Sequence, residues 1–193
     1  EPNDNFRKQL VSSAQAAVDV LVKKGIADKN NIAIAGHSYG AFMVANLLAH
    51  SDLFKTGIAR SGAYNRTLTP FGFQGEERDF WQAQSVYANM SPFFHAEKID
   101  EPMLMIHGQE DPNSGTFPMQ SERMYAALKG LGKEARLVML PYEAHGYRAR
   151  KSLLHVLWEQ EQWLDKYLLS DSVEEPVNVT TEQVAEPIPI AEQ

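Results

Sequence analysis

With 193 residues, 44% of them hydrophobic and 22% charged, the chain has ordinary globular composition and enough length to bury roughly 70% of its unfolded surface in one core. A formal charge of −7 and a pI near 5.4, with no cluster of Lys and Arg, argue against a nucleic-acid or anionic-membrane surface, and no run approaches the ~20 apolar residues of a membrane span. The lack of cysteine excludes disulfides, thiolate nucleophiles and Cys-based zinc sites, and leaves the compartment open.

In chain order, Phe6, Leu10, Ala14, Ala17, Val18 and Leu21 recur at helical spacing and predict an amphipathic helix over 5–24, with Asn3 or Asp4 to cap it and Gly25 to stop it. Asn31 to Gly36 is a short apolar run without helical period that ends in small residues, the pattern of a buried strand entering a sharp turn. Ala41 to His50 is apolar nearly all round and predicts an interior helix. A second strand is expected over Gly57–Ala63, followed by an aromatic loop-and-helix excursion from Tyr64 to Asp100.

Pro102–Gly108 and Ala135–Pro141 predict two further strands, with a helix over Ser121–Leu131 between them. Leu153, Leu157, Leu164 and Leu168, beside Trp158 and Trp163, mark a closing helix from about Ala149. Strand and helix alternate throughout, which implies a mostly parallel sheet with helices on both faces, an α/β fold. Residues 1–170 are expected to form the folded unit. Residues 171–193, with six acidic residues, three Pro and no aromatic, are expected to be a flexible tail.

The chemistry lies in Gly36-His37-Ser38-Tyr39-Gly40, a GxSxG pattern between a predicted strand and a predicted helix. That context is a nucleophile elbow, in which flanking glycines spare a tight turn from Cβ clashes and the serine hydroxyl projects above the sheet. Ser12, Ser61, Ser91 and Ser114 lack the flanking pattern. A serine hydroxyl needs a base and a carboxylate to orient that base, in the chain order Ser, acid, His. Asp111, after the third strand, and His145, after the fourth, supply that order, with Glu110 the rival acid. The Tyr39 N–H is the expected oxyanion donor, and a second donor is expected from a loop upstream of this chain.

The remaining histidines read as packing or surface groups: His37 beside the elbow, His50 at a helix end, His95 in a loop, His107 at a strand end and His155 on a helix surface. No metal or organic cofactor is expected, because Asp, Glu and His do not cluster at ligand spacing and no phosphate-binding glycine loop occurs.

Gly36 to Gly40, His107-Gly108-Gln109-Glu110-Asp111 and His145-Gly146 together resemble the prolyl oligopeptidase family of serine peptidases, with Ala41 in place of the family's second elbow glycine. The stretch from Gly57 to Gln74 is similar to the glutamyl endopeptidase branch in particular, and the resemblance spans about residues 5 to 168. It implies the C-terminal portion of an α/β-hydrolase catalytic domain that cleaves peptide bonds through an acyl-enzyme, with a preference for acidic P1 residues. It also implies that the full-length protein carries the early strands of that domain and an N-terminal β-propeller. Starting at Glu1 and entering a helix at once, the sequence is expected to be a piece of something longer.

An acidic P1 residue needs a cation, and a guanidinium engages a carboxylate through two parallel hydrogen bonds. Arg66 and Arg60 are the candidates, and Asn113 is a candidate for binding substrate backbone. An esterase or lipase would use the same triad, and a silent fragment with an exposed edge strand is the alternative outside enzymes.

Overall fold

The computed structural model describes residues 2–169, so the segment expected to be a flexible tail lies outside the described residues. Four strands, β1 (Ala33–His37), β2 (Thr56–Arg60), β3 (Met103–Gly108) and β4 (Ala135–Leu140), form a parallel sheet in sequential order, with β1 and β4 at its edges. Helices α1 (Phe6–Lys23), α2 (Tyr39–His50), α3 (Gln84–Met90), α4 (Met119–Gly130) and α5 (Arg150–Leu164) connect and flank the strands. Short 3-10 turns at Arg66–Leu68 and Pro92–Lys98 complete the excursion expected between Tyr64 and Asp100.

The central strands β2 and β3 read as continuous apolar runs because both faces of the sheet are covered there. Within β3, Met103 and Met105 enter one core with Val44, Ala45 and Leu48 of α2 and with Met124 and Leu128 of α4. Leu104 and Ile106 face the other way and pack with Ile58, Val138, Leu140, Val156 and Trp163 beneath α5. All four β3 residues are fully buried, each side chain contributing about 1.5–3 kcal/mol. The Trp163 indole N–H donates to Thr56 Oγ1 at 2.7 Å, so the closing helix is also pinned to the start of β2.

The second strand ends at Arg60, three residues short of expectation, because Ser61 turns left-handed at φ 47°. At the start of α1 neither expected cap acts as one. Asn3 donates instead to the Gly75 carbonyl at 2.6 Å and Asp4 pairs with Arg78, which ties the N-terminus to the 72–78 loop. Gly25, at φ 69°, stops α1 as anticipated.

Among the described residues, one flank of the sheet is left uncovered. In α5 the buried residues are Val156, Glu159 and Trp163, whereas Leu153, Leu154 and Leu157 are 43%, 52% and 61% exposed. Glu159 bonds Arg136 of the edge strand β4, so the leucine flank lies on the side of the helix away from β4. On β1, at the opposite edge, Ala35 is exposed.

Candidate active site

Ser38 lies between β1 and α2 at φ 57°, ψ −116°, a backbone conformation that costs an L-residue on the order of 1–3 kcal/mol. Its N–H donates to the Arg60 carbonyl at 2.8 Å, which holds the turn on the sheet. A Cβ on Gly36 would overlap the backbone of Gly40 and Ala41, so the first glycine of the motif is sterically required. Gly40 differs from expectation: a Cβ there meets no neighbour within 4 Å.

The β3–β4 end of the sheet brings the other two groups. Asp111 follows β3 and is buried, with Glu110 beside it exposed. A Cβ on Gly108 would overlap the Glu143 and Ala144 carbonyls, so the absence of a side chain there lets the histidine loop close onto the acid loop. The buried Glu143 carboxylate anchors that loop by accepting from the Arg148 and Ala149 N–H groups at 2.8 and 2.9 Å, where α5 begins.

Ser38, His145 and Asp111, 107 and 34 residues apart in successive steps, form one hydrogen-bonded series. His145 Nε2 lies 2.9 Å from Ser38 Oγ, and His145 Nδ1 lies 2.8 Å from Asp111 Oδ2. The neutral tautomer that fits has the proton on Nδ1, donated to the carboxylate, and accepts the serine proton at Nε2. Burial pushes the Asp111 carboxyl up, but hydrogen bonds from His145, the Asn113 N–H and the Thr116 hydroxyl outweigh it and hold the group below its ordinary value. The acid is therefore ionised at neutral pH.

His37 packs at 5.0 Å between ring centroids from His145, and burial, with the charges of His145 and Arg60 nearby, depresses its basicity. The Tyr39 N–H sits at the first position of α2, where backbone N–H groups have no intrahelical carbonyl. It is directed by the helix end that favours developing negative charge.

A cavity of about 510 Å³ opens beside Ser38, walled by residues 63–74 on one side and 113–117 on the other. Arg66 lines it and is 5% exposed. Its guanidinium carbon lies 4.2 Å from the centre of the Phe42 ring, 5.0 Å from Phe73 and 5.7 Å from Tyr39. Among the described residues its Nε is buried without a hydrogen-bond partner. Burial lowers its pKa to about 10, which leaves it cationic at neutral pH. The result is a cation cradled by aromatic faces in a wall of the cavity that Ser38 also lines.

Arg60, the other arginine candidate, does not line that cavity; it ends β2 on the side of His37 and Tyr147. Asn113 stands on the cavity wall, but its side-chain oxygen accepts from the Gly115 N–H at 3.0 Å and its own N–H donates to Asp111 Oδ1 at 2.9 Å. Two groups escaped the sequence reading. Thr116 donates to Asp111 Oδ2 at 3.0 Å, and no spacing signal marks it. His107, expected to be a packing group, instead bonds Asp111 directly, and its place four residues before the acid was the available signal.

Residues 3–171 match the model of the prolyl oligopeptidase family. Over 173 residues the chain is 60% identical to a probable chloroplastic glutamyl endopeptidase of Arabidopsis thaliana and equally so to its namesake in Oryza sativa subsp. japonica, covering 89% of this chain and 18% of each relative. Among solved structures, a Mycobacterium tuberculosis puromycin-hydrolyzing peptidase superposes with a TM-score of 0.71 at 26% identity, over 82% of this chain and 25% of that one. The acylaminoacyl peptidase of Pyrococcus horikoshii does so with 0.66 at 30% identity, over 84% and 28%. The chain spans less than a fifth of the length of these curated relatives, and its parallel sheet with helices is that of an α/β-hydrolase. It belongs to the prolyl oligopeptidase family.

Proposed function

We propose that the chain carries the nucleophile, base and acid of a serine peptidase that cleaves after acidic residues through an acyl-enzyme. The observation that carries this reading is the series Ser38–His145–Asp111 on a strained strand-to-helix turn, opening on a cavity with a cationic Arg66 in its wall. Ser38 Oγ attacks the scissile carbonyl as His145 Nε2 takes its proton, and Asp111 stabilises the imidazolium. The Tyr39 N–H receives the oxyanion. His145 then protonates the leaving amine, and water repeats the sequence to release the acid.

The acidic preference rests on Arg66. A guanidinium with no carboxylate partner among the described residues, desolvated among Phe42, Phe73 and Tyr39, gains most from a ligand that brings its own negative charge. Asn113 and Gly115 on the facing wall suit the peptide backbone. The names of the 60% identical relatives support the same preference.

The unfinished flank supports a further part of the proposal. The upstream region of the full-length protein supplies strands that pair with the open edge of β1, a helix that covers Leu153, Leu154 and Leu157, and the second oxyanion donor. A β-propeller beyond those strands is what the family resemblance implies. The 18% coverage of the relatives leaves room for all of these.

Labelling of the full-length protein by a fluorophosphonate, with Ser38→Ala and His145→Ala as controls, tests the nucleophile. Matched peptides with Glu or Gln at P1 test the specificity. Ser38-dependent labelling with preferential cleavage after Glu is expected; labelling that persists in Ser38→Ala would overturn the assignment, and equal cleavage of the two peptides would remove the acidic preference.

A further inference from the structure

Asp111 Oδ2 accepts more than the His145 proton. His107, fully buried at the end of β3, places its Nε2 at 3.0 Å from the same oxygen, and its Nδ1 lies 2.7 Å from Ser121 Oγ on α4. The geometry fixes the ring's proton. A carboxylate only accepts, so Nε2 carries the hydrogen and Nδ1 is the lone pair that takes the Ser121 hydroxyl proton. Burial depresses the basicity of His107 more than Asp111 raises it, which agrees with a neutral ring.

We infer that His107 is a positioning residue of the triad, which, with its tautomer set by Ser121, holds the Asp111 carboxylate in line with His145 and draws negative charge from the oxygen that faces the base. A buried imidazole that served packing alone would be replaceable by an isosteric apolar ring. Here one imidazole on β3 and one on the histidine loop converge on a single carboxylate oxygen, with Thr116 as a third donor at 3.0 Å. A carboxylate oxygen with three donors is restricted in rotation as well as in charge, and small displacements of a catalytic group cost large factors in rate.

The inference rests on the serine-peptidase reading, so its test uses a readout that reports that reading separately. The pH dependence of fluorophosphonate labelling is measured on the full-length wild type and on His107→Gln, His107→Phe and Ser121→Ala, each first compared by thermal melting. Glu110 beside Asp111, His37 and Arg60 at the ends of β1 and β2, Tyr147 and Glu143 on the histidine loop, and Tyr64 near Ser121 are ionisable groups around the network, and all are retained in these variants. Phe keeps the ring and removes the donor. Without that donor Asp111 keeps more charge toward His145, favours the imidazolium, and moves the acidic limb of the labelling rate to higher pH by roughly 0.5 to 1 unit.

The expected result is that His107→Phe labels about tenfold more slowly at neutral pH and shifts the limb upward, on the scale of one hydrogen bond to a charged group. Its peptide kcat falls while KM stays within about twofold. His107→Gln, whose amide retains a donor, recovers most of the rate. Ser121→Ala shows a smaller shift in the same direction and carries the test if His107→Phe does not fold. Unshifted limbs in the folded variants, or equal losses in Phe and Gln, would overturn the inference while wild-type labelling at Ser38 stood. If the wild type itself fails to label, the peptidase reading fails and the inference falls with it.

Discussion

Replacing Arg66 by Met separates recognition from folding at one position. Met keeps an unbranched apolar stem among Phe42, Phe73 and Tyr39, with favourable sulfur–ring contacts, and removes only the charge and its donors. At an effective dielectric constant of about 20, a guanidinium and a carboxylate about 4 Å apart attract by about 4 kcal/mol, a factor of roughly 10³. Arg66→Met should therefore lower kcat/KM for a Glu substrate by about 10² to 10³ and leave the matched Gln substrate within about threefold. Stability should move the other way. The fall in the Arg66 pKa to about 10 corresponds to a desolvation cost on the order of 3 kcal/mol, partly offset by the ring contacts that the cation makes. Met relieves that cost, so the melting temperature should equal or exceed the wild-type value. The assay is steady-state cleavage of the paired peptides together with a melt. Retained preference for Glu would move the recognition role elsewhere. A melting temperature several degrees lower, with equal losses on both substrates, would show that Arg66 is structural and refute the reasoning.

Ser38→Ala and His145→Ala should each lower peptide turnover on the order of 10⁶-fold with melting temperatures near wild type, because neither side chain belongs to the hydrophobic cores. Gly108→Ala should slow fluorophosphonate labelling roughly 100-fold, because its Cβ would displace the Glu143 and Ala144 carbonyls and with them His145; a labelling rate within threefold of wild type would contradict that steric account. Glu76, buried and bonded by the Arg78 guanidinium and N–H and by Asn3, has its pKa lowered from 4.5 to about 2. Its folded-state value is depressed, so its contribution is fully present above about pH 4.5 and is lost as pH falls toward 2. Urea midpoints measured from pH 6 to 2.5 should fall less steeply for Glu76→Gln than for wild type, and parallel curves would count against the assignment.

The elements were legible in the sequence because each carries a local physical signature. The helical period of Phe6 to Leu21 and the apolar run of β3 follow from burial on one stripe or on both faces, and Gly36 announces a strand-to-helix turn that a side chain there would block. The GxSxG elbow points to Ser38, and chain order with the strand ends points to Asp111 and His145, since a parallel sheet gathers the C-terminal ends of its strands along one rim. What composition and spacing left undecided depended on distances across the fold. Arg60 and Arg66 are equivalent as letters in one loop, and only the turn at Ser61 and the packing of Phe42 and Phe73 direct Arg66 into the cavity wall and leave Arg60 beside His37. His107 looked like a packing residue because its partner on α4, Ser121, is fourteen residues away and carries no signal of its own. The exposure of Leu153, Leu154 and Leu157 was equally hidden. Periodicity records that a helix has an apolar side, while whether anything in the chain covers that side is a property of the assembled tertiary structure.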